Sequence, residues 1–180
     1  DIVTLDNVIT CIQRAEMVMK VVERVNRFIY ELGEDGLLIK MQLEELIDDI
    51  ENEELLIIKD YKSPSKKIAS EKILEKISNS TSEELLDSAI IAKILGYDIF
   101  ENYDELAVYP KGYRVLNKIP RMPINIINNL VSSFKTFQHI LLANIEELDT
   151  VEGIGEVRAK AIKQSLKRMQ EQFVFDNLML

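Results

Sequence analysis

The apolar residues of the first thirty positions recur at steps of three and four, and this periodicity constrains the fold more than any other feature. Leu5, Val8, Ile12, Ala15, Met19 and Val22 form one stripe, which Ile29 resumes beyond polar Asn26. A second stripe, Val18, Val21, Val25, Phe28 and Leu32, keeps the same steps beside it. Two adjacent stripes make a wide apolar face, which suits a helix bundle better than a two-stranded coiled coil. Gly33 stands where a C-cap belongs, and Gly33 to Gly36 (GEDG) supplies the turn.

A second helix follows, with Leu43, Leu46, Ile47 and Ile50 on one face and acids on the other. Leu55 to Tyr61 (LLIIKDY) fits either a short strand or a continuing helix. Lys62 to Lys67 (KSPSKK) reads as a loop, and Ile68, Ile73, Leu74 and Ile77 predict a third helix. Thr81 with Glu84 three residues later is a capping box opening a fourth helix, which Gly96 closes. From Tyr97 to Pro123 the period is lost, and beyond it short helices are expected at about 124–133, 136–143, 145–150 and 156–171. The expected fold class is all-α: an elongated helical spine bundle (1–100), a connecting loop (101–112) and a small helix-hairpin-helix domain (113–180).

Charge divides along the same line. Residues 1–110 hold 12 Lys+Arg against 24 Asp+Glu, and residues 111–180 hold 10 against 7, so the net −9 conceals a mildly basic C-terminal third. Cys11 is alone, which excludes a disulfide framework or a cysteine metal cluster. No run is apolar enough for a membrane span and the N-terminus lacks a signal-peptide pattern, so a cytoplasmic protein without a membrane partner is expected.

Within the basic third stands Val151 to Ile162, VEGIGEVRAKAI. Gly153 and Gly155 bend the chain between two short helices, and the second helix begins with unpaired N–H groups at the positive end of its dipole. Donors from Gly153, Ile154 and Gly155 through the following turn at Val157 form a nest suited to a phosphate. Arg158 lies beside it, and Lys160, Lys163 and Lys167 step along one flank. A cationic stripe of that kind tracks a nucleic-acid backbone without reading sequence. The alternative for the same residues is a tight turn between packed helices, with solvated lysines outside.

The spacing of Val151, Gly153, Ile154, Gly155 and Ala159 resembles the helix-hairpin-helix family of DNA-binding motifs. A second outline lies upstream in Tyr113 to Phe134, with Lys118 and Arg121 at its turn, but Pro120 and Pro123 stand where glycines would be. Some DNA glycosylases with this motif carry a catalytic lysine two residues after the second glycine. Here that position is Val157, and Asp176 farther on is a lone acid, so a glycosylase is not expected.

The chain as a whole resembles the DisA family of bacterial DNA integrity scanning proteins. QRAEMVMKVVERV (Gln13 to Val25), MQLEEL (Met41 to Leu46), VYPKGYRVLNKIPRMP (Val108 to Pro123) and VEGIGEVRAKAI carry the resemblance, in the family's order. It implies a diadenylate cyclase whose catalytic domain, which joins two ATP into cyclic di-AMP with a divalent metal, lies outside this sequence. The family's catalytic Asp-Gly-Ala and Arg-His-Arg steps are not matched: Asp35-Gly36-Leu37 lies in a turn, and the single histidine, His139, is flanked by Gln138 and Ile140. No catalytic residue and no cofactor are therefore expected here. The resemblance further implies branched or recombining DNA as partner, control of the cyclase by DNA, an octamer when full length, and a nucleoid-associated place in the bacterial cytoplasm. The competing expectation is a helical oligomerisation scaffold whose terminal module packs without binding DNA.

Overall fold

A computed structural model describes residues 3–98 and 102–178, with side chains as far as residue 172. The described chain is all-α. Its only β feature among the described residues is an isolated antiparallel bridge between Thr4 and Ala107. Two compact units are present, one ending at Val108 and the other starting at Tyr109.

The first unit is built on α1 (Leu5–Glu31) and α2 (Gly36–Tyr61), joined by a 3₁₀ turn at Gly33–Asp35. Thr4 opens α1 with a reciprocal cap: its hydroxyl accepts the Asn7 N–H, and the Asn7 side chain accepts the Thr4 N–H. The 55–61 stretch is helix, not strand, because Ile57, Ile58 and Tyr61 face the core on the helical period. Three shorter helices follow: α3 (Ser70–Ser78), α4 (Ser82–Leu86) and α5 (Ser88–Leu95). The Thr81–Glu84 capping box forms as expected. The single helix expected up to Gly96 is instead two, because Asp87 leaves helical backbone geometry and caps a new helix through the Ala89 N–H at 2.9 Å.

Leu5, Ile9, Ile12, Ile58, Ile73, Ile77, Leu85 and Ile91 fill one core. Val108 joins it, Leu106 packs against it, and the Leu106 carbonyl accepts the Leu5 N–H at 2.9 Å. Within the 101–112 segment, Tyr103, Leu106 and Val108 pack on the first core, and Tyr109 starts the second unit. The first residue of the segment, 101, lies outside the described residues.

Among the buried carboxylates of this unit, Glu16 and Glu54 lie close to each other. Glu16 on α1 accepts the Ser78 hydroxyl at 2.7 Å, whereas Oε1 of Glu54 on α2 has no hydrogen-bond partner. Burial, with Glu16 and Glu51 nearby, pushes the Glu54 carboxyl up to about 8. Burial also raises that of Glu16, against the Ser78 hydrogen bond and Lys20.

The second unit contains α6 (Tyr113–Asn117), α7 (Ile124–Phe134), α8 (Phe137–Leu142), α9 (Ile145–Asp149) and α10 (Glu156–Leu178). Leu116, Ile127, Leu130, Ile140, Leu148, Ala159 and Ile162 form its own core. No described helix is long and apolar enough to cross a membrane.

Candidate nucleic-acid interface

The second unit is one plan used twice. Each residue of α6, its turn and α7 corresponds to the residue thirty-two positions later in α9, its turn and α10. Three backbone bonds repeat at that offset. The Leu116 N–H to the Gly112 carbonyl (2.9 Å) matches Leu148 to Asn144 (3.1 Å). Ile119 to Leu116 matches Val151 to Leu148, both 3.1 Å, and Ile127 to Pro123 (3.2 Å) matches Ala159 to Gly155 (2.9 Å). Burial repeats as well, through Leu116 and Leu148, Ile119 and Val151, and Leu130 and Ile162.

This register corrects the sequence reading of the first turn. The glycine positions of the second hairpin are filled in the first by Arg121 and Pro123, not by Pro120 and Pro123. Arg121 has a φ of 58° and Gly153 a φ of 80°. Pro123 precedes α7 as Gly155 precedes α10, but proline has no N–H.

The two glycines of the second hairpin differ in what requires them. Gly153 needs its left-handed backbone, and a Cβ there would stand 2.5 Å from Cδ1 of Ile126. Gly155 has no such φ, and a Cβ there would meet nothing within 4 Å. Past it, the N–H groups of Glu156, Val157 and Arg158 precede the first bond of α10, which Ala159 donates to the Gly155 carbonyl. The Ile154 N–H, in contrast, is committed within the loop to the Val151 carbonyl at 3.0 Å, and the Ile154 side chain is buried. Ile154 therefore shapes the nest without donating to it.

The cations divide in the same manner. Lys118, Arg121 and Arg158 are exposed. Arg158 donates one guanidinium N–H to the Gly153 carbonyl, which steadies the loop and leaves other donors of its fork outward. Lys160 pairs with Glu156 one turn before it and holds that carboxyl below the usual range. Lys163 departs from the expected exposed stripe: it is half-buried, and its ammonium donates to the Leu141 carbonyl at 2.8 Å. The last turn of α8 offers unpaired carbonyls and the negative end of a helix, which attracts an ammonium there. Asp176 lies where side chains are outside the described residues.

The two hairpins also fix each other. Nδ2 of Asn129 on α7 donates to the Glu152 carbonyl at 2.9 Å, and Ile126 closes over Gly153. A cleft runs between the tips, lined on one side by Pro120, Arg121 and Met122 and on the other by Gly155, Val157 and Arg158. The second hairpin outline was visible in the sequence; what that reading missed is the constant register between the two. It was available as the matched apolar residues at constant offset, which outlast the loss of both glycines.

Comparison with known proteins agrees with both units. The model of the helix-hairpin-helix motif matches residues 136–165. The model of the DisA bacterial checkpoint controller linker region matches residues 1–103, more than half of the chain. The chain belongs to the DisA family. DNA integrity scanning protein DisA of Carboxydothermus hydrogenoformans is 49% identical over 96% of this chain and 49% of its own length. DisA of Acetivibrio thermocellus is 48% identical over 98% of the chain and 49% of its own. DisA of Clostridium botulinum strain Langeland is 47% identical over 99% and 50%. The chain thus spans about half the length of the DisA relatives it matches.

Proposed function

We propose that the unit starting at Tyr109 holds DNA by its backbone and does not read base sequence. The observation that carries this reading is Gly155. Nothing inside the protein requires a glycine there, and the space where a side chain would stand is open beside the free end of α10. A glycine without an internal reason is accounted for by close approach of something external, and a phosphate matches the donors that point there. The N–H groups of Gly155 and the first turn, with Arg158, take one phosphate run. Lys118 and Arg121 at the other tip take a second, by charge rather than by backbone donors.

With about 3–5 phosphates neutralised, log K against log salt should slope at roughly −3 to −5. The test is binding of duplex and four-way-junction DNA across salt, by the wild type and by Gly155→Val, which the open space accommodates. A folded Gly155→Val variant that binds as tightly as wild type removes the phosphate site from this hairpin.

The finer reading extends the family's name. In a full-length DisA protein, branched DNA at these tips regulates cyclic di-AMP synthesis by the half of the relatives that this chain does not span. ATP and its metal belong to that half. Among the described residues of this chain, no cluster of three acids, histidines or cysteines could hold a metal. An octameric, nucleoid-associated protein belongs to the same reading. A junction preference of this chain alone would place branch recognition in the tips; a preference seen only in the full-length protein would place it in the assembly.

A further inference from the structure

The cations of α10 part into two sets. Lys160, Lys163 and Lys167 fall within about 60° of arc on one flank of the helix. Each has a partner there: Lys160 pairs with Glu156, Lys163 donates to the Leu141 carbonyl of α8, and Lys167 pairs with Glu171 at 3.8 Å. Arg158 and Arg168 face the first hairpin instead. Arg158 lines the cleft between the tips, and Arg168 lines a groove that continues from that cleft along α10. Cleft and groove share Ile119, Pro120, Arg121 and Ala161, so Arg121 stands where one passes into the other. Beyond it the groove runs over Ala161 and buried Ser165, past Gln164, to Arg168 and Gln172.

Its charge identifies the occupant. Among the described residues no acid lines the stretch from Arg121 to Arg168, although acids outnumber Lys and Arg by 31 to 22 in the whole chain. Both arginines are exposed, and neither guanidinium has a hydrogen bond or ion pair among the described residues. A guanidinium fork fits a phosphate and can hold two of its oxygens at once. We infer that this groove carries a DNA backbone onward from the hairpin tips, with Arg168 as its last cationic contact. The inference rests on the reading that this unit holds DNA by its phosphates. Continuity selects DNA over an acidic peptide, because Arg121 belongs both to the cleft between the tips and to the groove. Arg158 and Arg168 are about 15 Å apart along α10, which a duplex strand covers in four to five nucleotides at about 3.4 Å each. Gln164 and Gln172 supply uncharged donors beside that path, and none of these contacts needs a base edge.

The test is binding of duplex DNA across salt by the 180-residue chain, Arg168→Met and Lys167→Met, with Gly155→Val beside them. Positions 167 and 168 are both exposed, so circular dichroism and melting of those two variants should match wild type. Arg168→Met should bind about 5- to 10-fold more weakly, with a salt slope smaller by about 1. Lys167→Met, one residue away on the lysine flank, should stay within about 2-fold of wild type. Equal losses at the two positions overturn the groove in favour of general charge attraction. An Arg168→Met chain that binds as wild type overturns it as well and leaves the groove to an acidic protein segment. Normal binding by Gly155→Val with weakened binding by Arg168→Met removes the hairpin phosphate site and keeps the groove. A wild type that binds no DNA at low salt removes both.

Discussion

Arg121 and Gly153 occupy the same position of two hairpins and share a left-handed backbone, with φ of 58° and 80°. A glycine takes that geometry without strain, whereas an arginine takes it at a cost of about 1–2 kcal/mol. The first hairpin therefore keeps a strained cation where the second keeps an unstrained bend. Such a residue persists where its side chain is used, and Arg121 lies at the cleft between the tips.

Arg121→Gly should accordingly leave the fold intact or stabilise it by up to about 1 kcal/mol, as relief of strain outweighs the freer unfolded chain. DNA affinity should fall in the same variant, and the salt slope should shrink by about 1. Chemical denaturation and a salt titration, run on one preparation, check both halves.

The second hairpin separates by the same pair of measurements. Gly153→Ala places a methyl against Ile126 in a backbone geometry alanine resists, and should cost about 2–3 kcal/mol. Gly155→Ala meets open space and should stay within about 0.5 kcal/mol of wild type while weakening DNA binding.

Lys163 and Lys118 should behave as opposites. Lys163→Met removes the hydrogen bond to Leu141 and should lower stability by about 1 kcal/mol, with the salt slope nearly unchanged. Lys118→Met should leave the melting temperature alone and reduce the salt slope by about 1.

The buried carboxyl of Glu54 gives the first unit a pH dependence of definite sign. Folded, it keeps its proton up to about pH 8; unfolded, it releases it near the ordinary carboxyl value of 4.5. Its contribution is complete below about pH 4.5, declines as pH rises, and levels off above about 8. Glu16 lies within range and is raised too, so the two titrate together. Glu54→Gln stays neutral throughout. Its melting temperature should match wild type at pH 4.5 and exceed it by roughly 5 °C or more at pH 8.

Helices with strong periodicity or side-chain caps were legible from sequence. The bounds expected near 124–133 and 136–143 lie within a residue or so of α7 and α8, because Pro123 and Thr136 mark their starts. The break at Asp87 was not, since one aspartate inside an apolar-periodic run resembles a solvated helical residue until its side chain is seen capping Ala89. At the candidate site, spacing identified the Gly153–Gly155 turn. It could not show that Lys163 swings to a neighbouring helix end, because Leu141 is distant in sequence and the contact depends on how α8 packs. The second stripe of α1 was expected to be part of a bundle face, but the structure leaves Val18, Val21, Phe28 and Leu32 exposed. Periodicity marks an apolar stripe but does not say whether a helix covers it, and among the described residues none covers this one fully.

The hydrogen bond from Asn129 to the Glu152 carbonyl spans the two hairpins and joins a helix of one to the loop of the other. With Ile126 closed over Gly153, it sets the separation of the tips before anything arrives. The unit is a caliper with its jaws already locked. A flexible pair of fingers would fit any spacing and lose entropy at each grasp, whereas a locked gauge accepts one width and rejects the rest.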